Sequence, residues 1–271
     1  MNRLVPFLLV VLNCYSCNES DKNGDRTVSD NPPAPDTVPF TIVNQYPHDT
    51  LSFTEGLTVY NGQLYESTGS GNPDGHVNNG SWAGPLDLKS GKAEKKIKLD
   101  NKYFGEGMTI LRDKVYFLTW TTKIGFVYDL HTFKKLDEFH YPSEGWGLTN
   151  DGTSLIMSNG SNNLAFLNTD SLQITHLISV TDNNGPVANL NELEYINGFI
   201  YANQWQTPYI LKIDPGSGRV VGKMYLDNVY NDVLSKNPGS DYLNGIAYDS
   251  ATQKIYITGK LWPLIYEIKF Q

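Results

Sequence analysis

The 271-residue chain carries a formal charge of −8, with 39% hydrophobic and 18% charged residues, which suits one globular domain with a sizeable core. That acidity argues against a nucleic-acid partner, because such partners reward clustered Lys and Arg. Seventeen Tyr and 24 Gly against four Met favour strands and tight turns over helices.

At the N-terminus, Asn2 and Arg3 precede LVPFLLVVLN, a run too short to span a bilayer but of the length of a signal-peptide core. Residues 1–16 are predicted to be a signal peptide of the bacterial lipoprotein type, cleaved behind Ser16 so that Cys17 is lipidated. The plainer alternative is that Cys14 and Cys17 are incidental thiols in a discarded leader. Export with a lipid anchor, at the periplasmic face or the cell surface, is the expected location, with no other membrane contact. Residues 17–38 are polar and proline-bearing and read as a disordered tether. Residues 39–271 then form the folded domain, which has no cysteine pair and depends on packing and closure.

Five segments follow in which one apolar run turns into a second: 55–69, 106–120, 146–160, 191–205 and 244–260. Each reads as an antiparallel hairpin whose first and last residues lie side by side. A third run follows every hairpin (84–92, 125–133, 164–172, 209–218 and 264–270). A fourth follows the first four (95–100, 134–141, 173–180 and 220–227), but the fifth unit stops at Gln271 with three. FTIVNQYP, residues 40–47, alternates like those fourth strands and can complete the last unit. Internal recurrence of this kind predicts an all-β, five-bladed β-propeller of four-stranded antiparallel blades, closed by an N-terminal strand that removes an open edge. A β-sandwich with coincidental spacing is the alternative.

Aligning the hairpins on Tyr65, Tyr116, Ile156, Tyr201 and Tyr256 brings Glu55, Glu106, Trp146, Asn191 and Asn244 into register at one mouth of the central channel. The second strands end beside them at Gly69, Trp120, Gly160 with Asn159, Trp205 and Lys260. Each residue alone has an ordinary role: a strand-end Trp as packing, a strand-start Asn as a turn former, a Glu facing water. The shared register points instead to a small-ligand pocket, in which large rings surround a few polar groups. His48, His76, His131, His140 and His176 fall outside this register and read as surface or turn residues. No metal set, cofactor or phosphate-binding loop is read from the sequence, and a monomer is expected.

At these residues the chain resembles the plant and bacterial type of glutaminyl-peptide cyclotransferase, or glutaminyl cyclase. The phrases that carry it run in order from FTEGL (53–57), LYEST (64–68), YFGEG (103–107) and LTW (118–120) through GFVYD (125–129) and EGWGLT (144–149). They continue with LNELEY (190–195), YANQWQT (201–207), LNGIAYD (243–249) and TGKLWP (258–263). The resemblance implies a propeller that converts the N-terminal glutamine of peptides or proteins to pyroglutamate and releases ammonia, without catalytic zinc. It implies Glu106 as the proton-transfer residue, Phe104 as pocket wall, and Trp120, Trp146 and Trp205 as the glutamine cage. Asn191 and Lys260 would supply polar contacts.

Two departures bear on specificity. Glu55 stands where the family's first motif has glutamine, and can accept a bond from the substrate's α-ammonium but cannot donate one. The 68–84 loop is long and rich in Gly and Asn, and is expected to form a lid with Trp82 reaching the mouth. Two other functions fit parts of the pattern. Glu55, Glu106, Asn191 and Asn244 offer hard oxygen donors such as a metal-dependent propeller lactonase uses. An aromatic mouth also suits a non-catalytic lipoprotein that grips peptides or glycans.

Overall fold

The computed structural model describes residues 32–69 and 80–271. The predicted signal peptide, Cys17, the tether as far as residue 31, and residues 70–79 of the predicted lid lie outside them.

Five antiparallel sheets form the blades of a propeller. Their innermost strands are Thr54–Tyr60, Gly105–Leu111, Leu148–Asn150, Leu190–Ile196 and Leu243–Asp249, numbered here as blades one to five. Burial falls from the axis outward: in blade two Gly105–Leu111 is buried throughout, whereas the outer strand Lys135–His140 buries only Phe139. That gradient explains why the outer strand of blade two reads as polar. The core lies between blades as stacked sheets. Leu118 and Val127 of blade two, for instance, pack with Leu148, Leu155 and Met157 of blade three.

Two carboxylates fasten the inner strands where no ladder can pair them. Glu192 of blade four accepts from the backbone N–H of Leu57 in blade one (3.1 Å) and of Ile246 in blade five (2.8 Å). Glu194 accepts from Tyr248 N–H (2.8 Å) and the Thr149 hydroxyl (3.1 Å), reaching blades five and three. Burial drives both carboxyls upward, Glu194 to about 8 and Glu192 well above the usual range, with these donors opposing the shift.

Phe40–Pro47 pairs antiparallel with Leu264–Phe270, from Phe40↔Phe270 to Pro47↔Leu264, as the count of strands predicts. Three expectations are corrected. Asp36–Thr37, assigned above to the tether, pairs in parallel with Val220–Tyr225 on the outside of blade four. The fourth strand of blade one, expected over 95–100, is split into Lys92–Ala93 and Ile97–Lys98, both pairing with Trp82–Asp87. The chain arches between them over Gly84, where a Cβ would lie 1.8 Å from the Glu94 carbonyl oxygen. A helix, Asp227–Lys236, follows blade four and was not foreseen. Val229 and Val233, one turn apart, bury against blades four and five, and Asp227 and Lys236 complement the helix dipole.

His48 is also not a surface residue. Its side chain is fully buried where blade one meets blade five, Nε2 3.0 Å from Glu66 Oε1 and Nδ1 3.0 Å from the Trp262 carbonyl oxygen. Both partners are acceptors, so both ring nitrogens carry protons and the ring is an imidazolium. Burial alone lowers its pKa, but the charge and hydrogen bond of Glu66, with the Trp262 carbonyl, reverse the shift and raise it. A His with a raised folded pKa contributes stability that is fully present below its ordinary value of 6.5 and is lost as pH rises through the folded value. His48→Ala leaves Glu66 as an uncompensated buried charge and should cost about 3–5 kcal/mol in urea unfolding. The difference from wild type should shrink as pH rises through that window. A difference independent of pH would show that the ring is held neutral.

Candidate active site

Four of the predicted openers owe their aim to backbone irregularities. The ladder between first and second strands shifts register between Thr54 and Gly56, Gly105 and Met108, Leu190 and Leu193, and Leu243 and Ile246. Glu55, Glu106, Asn191 and Asn244 lie within those shifts. A bulge adds a residue, bends the strand and re-aims the side chain, here toward the axis.

A cavity of about 260 Å³ opens at this mouth. Glu55, Glu106, Asn191, Asp241 and Lys260 form its polar lining; Phe104, Trp120, Trp146 and Trp205 are among its rings. The rings make a belt through edge contacts. Phe53 meets Phe104 at 6.2 Å between centroids, Phe104 meets Trp120 at 5.7 Å, Trp146 meets Trp205 at 5.5 Å, and Trp205 meets Tyr242 at 6.1 Å. Glycines make room for it. A Cβ on Gly69 would lie 2.2 Å from Phe104, and one on Gly160, at φ +77°, 2.6 Å from Trp146. Hence these second-strand ends serve the site by lacking side chains. Lys260 closes the belt, its Nζ 4.4 Å from the centre of the Phe53 ring and its backbone N–H bonded to the Tyr242 carbonyl (3.0 Å).

The polar groups are connected. Lys260 Nζ donates to Glu55 Oε1 at 2.5 Å, and Asn244 Nδ2 donates to Glu55 Oε2 at 3.0 Å. Burial first, and then the Glu55 charge, push the Glu106 carboxyl well above the usual carboxylate range, against a smaller pull from Lys260. Burial raises Glu55 as well, opposed by Lys260, and the donors on both of its oxygens, Lys260 Nζ and Asn244 Nδ2, suit Glu55 as the ionised member of the pair. Asn191 keeps its amide oxygen buried without a partner.

Asn244 is not in the cavity wall. It is fully buried, gives its amide to Glu55 and to the Thr54 carbonyl (3.0 Å each), and serves the site through Glu55. Asn159 does not line the cavity either. Trp82, expected at the mouth, is buried in blade one and lines a different surface hollow, with His48 and Lys95. Phe53, Glu144, Asp241 and Tyr242 were missed. Phe53 precedes the register position, Asp241 and Tyr242 lie in a connection after the helix, and Glu144 lies in the loop before blade three. EGWG was the one available signal for Glu144. Among the described residues, no three His, Cys, Asp or Glu side chains are grouped to hold a metal ion. Of the oxygens a lactonase-like site would use, both of Glu55 are engaged by Lys260 and Asn244, whereas the amide oxygens of Asn191 and Asn244 have no partner.

A family model described as glutamine cyclotransferase matches residues 8–270. The chain belongs to the glutamine cyclotransferase family. The glutaminyl-peptide cyclotransferase of Arabidopsis thaliana is 40% identical over 233 residues, covering 85% of this chain and 71% of the plant protein. The crystal structure of Myxococcus xanthus glutaminyl cyclase matches with a TM-score of 0.78 at 33% identity, over 88% of this chain and 98% of that one. The likeness covers the five blades and their mouth, so this cyclotransferase carries its polar cluster at the centre of the shared fold.

Replacing Glu55 by Gln removes the charge beside Glu106 and should lower the pKa of that carboxyl, since the Glu55 charge raises it. Carboxyl ¹³C titration of the variant should report the fall. An unmoved Glu106 resonance would mean that burial alone sets its proton affinity.

Proposed function

We propose that this protein is a glutaminyl-peptide cyclotransferase: it cyclises the N-terminal glutamine of peptides or proteins to pyroglutamate and releases ammonia. Family membership and the 40% identity to the plant enzyme support the activity. One observation carries the mechanism: a carboxyl with a strongly raised pKa, Glu106, faces a cavity walled by indoles.

Cyclisation needs the α-amine to attack the γ-carbonyl of its own side chain, so the first task is to hold a folded rotamer. Trp120, Trp146, Trp205 and Phe104 supply flat walls that do so without competing for polar atoms. The second task concerns protons. An N-terminal amine has a pKa of about 7.7–8. The direction of the Glu106 shift favours the state in which that carboxyl holds the proton and the α-amine is neutral, whichever of the two brought it. The freed amine forms the new C–N bond, and Glu106 delivers its proton to the amide nitrogen as the old C–N bond breaks. The ring nitrogen returns its surplus proton to Glu106, and ammonia leaves. Glu55 accepts from the α-ammonium before it loses its proton. Asn191, whose carboxamide lacks a partner, orients the substrate amide, and Lys260 stabilises the developing oxyanion with N–H groups not given to Glu55.

Incubation with a short Gln-initiated peptide should release ammonia, and Glu106→Gln should lower kcat by about 10²–10⁴-fold with far less effect on substrate affinity. A variant that keeps near-wild-type turnover would remove Glu106 from the proton path. Trp120→Ala and Trp205→Ala should act mainly through a higher KM. Unchanged KM in both would remove the cage.

The proposed setting is an exported lipoprotein anchored through Cys17, supported by the charged and apolar pattern of residues 2–17. Metabolic labelling with a fatty acid should mark the wild type and not Cys17→Ser. Label retained in the variant would end this assignment.

A further inference from the structure

The aromatic belt is continued at one point by a carboxylate. Trp120 ends the second strand of blade two, Trp146 opens blade three, and Glu144 stands in the loop joining them. Glu144 Oε2 accepts from Trp120 Nε1 at 2.8 Å and from Trp146 Nε1 at 2.9 Å. One oxygen thus clasps two indoles from different blades. The loop is itself fixed: Gly145 N–H donates to the Trp120 carbonyl (3.3 Å), and a Cβ on Gly145 would lie 2.6 Å from the Tyr141 hydroxyl. That hydroxyl is anchored in turn on the Thr119 carbonyl at 2.5 Å. All three side chains, Trp120, Glu144 and Trp146, are half-buried, so neither ring is locked by burial alone.

We infer that Glu144 is a positioning residue for the cyclisation proposed above: by holding both indole N–H groups on one oxygen, it fixes the spacing and tilt of the two rings that face the folded glutamine. Indoles free to turn about their side-chain bonds would admit extended rotamers whose amine cannot reach the γ-carbonyl. A bond to an ionised acceptor is short and roughly twice as strong as a neutral one, which suits a wall that must keep its shape while the substrate enters. The same carboxylate contributes to the raised proton affinity of Glu106, so it acts on both rotamer and proton transfer without touching the reacting atoms.

Because a single oxygen makes both bonds, Glu144→Gln can preserve the clasp through its amide oxygen, whereas Glu144→Ala cannot. Indole N–H resonances would be recorded for wild type, Glu144→Ala and Glu144→Gln, assigned with Trp120→Phe and Trp146→Phe. Kinetics with a Gln-initiated dipeptide would be measured on the same samples. In Glu144→Ala the Trp120 and Trp146 resonances should move and exchange faster, while that of the buried Trp262 stays in place. The kcat/KM value should fall by about 10–100-fold. Glu144→Gln should restore most of both. Unmoved resonances in Glu144→Ala, a kcat/KM within about twofold of wild type, or equal losses in the two variants would each overturn the positioning role. If the wild-type chain releases no ammonia, the cyclisation proposal has failed, and the indole resonances alone decide for or against the clasp.

Discussion

Five inner strands converging on one axis leave backbone N–H groups that no sheet can pair, and the rest of the molecule depends on how these are satisfied. Glu192 and Glu194 take up three of them, reaching three of the other four blades from a single strand. Buried N–H groups without partners cost about 1–3 kcal/mol each, so these side chains determine whether the inner strands can approach at all. The approach is close elsewhere too. At Gly147 a Cβ would lie 2.0 Å from the Asn191 carbonyl oxygen of the next blade. Where the other blades place a glycine after the opening residue, blade four places Glu192, and that exchange supplies the fastening.

The site is a by-product of the same geometry. Strands drawn tightly to an axis need bulges to stay paired with their neighbours, and the bulged residues are those aimed into the mouth. The mouth is dry enough that a carboxyl prefers its proton, and one ammonium is committed to holding the other acid ionised. Lys260, Glu55 and Glu106 therefore behave as one titrating unit, with Asn244 beneath it. Changing any member changes the others, so Glu55 in place of the family's glutamine is a change to the whole cluster.

Much of this was legible in the sequence because blade repeats are written in apolar periodicity. Strand count gave the number of blades, and the missing twentieth strand pointed to residues 40–47. Register of the opening residues gave Glu55, Glu106, Trp146 and Asn191, and the ends of the second strands gave Trp120, Trp205 and Lys260. What failed had no periodic mark. Asn244 and Glu55 share a register position in adjacent blades, yet one is wholly buried beneath the other, because direction within a bulge is not encoded by spacing. His48 follows a strand, as a surface residue might, and its burial depends on Glu66 and Trp262, distant in sequence. Asp241, Tyr242 and Glu144 come from connections, whose paths follow no repeat. The helix at Asp227–Lys236 carried a valine pair one turn apart, a signal too short to stand out among strands.

The strand at Phe40–Pro47 has no partner until Leu264–Phe270 exists. During synthesis this early strand must therefore wait for the last one, and no local nucleus can complete blade five. Closure of this kind has high contact order and belongs to the slow class of folding events. A chain cut before Leu264 would carry every side chain of the mouth, yet an unsealed ring.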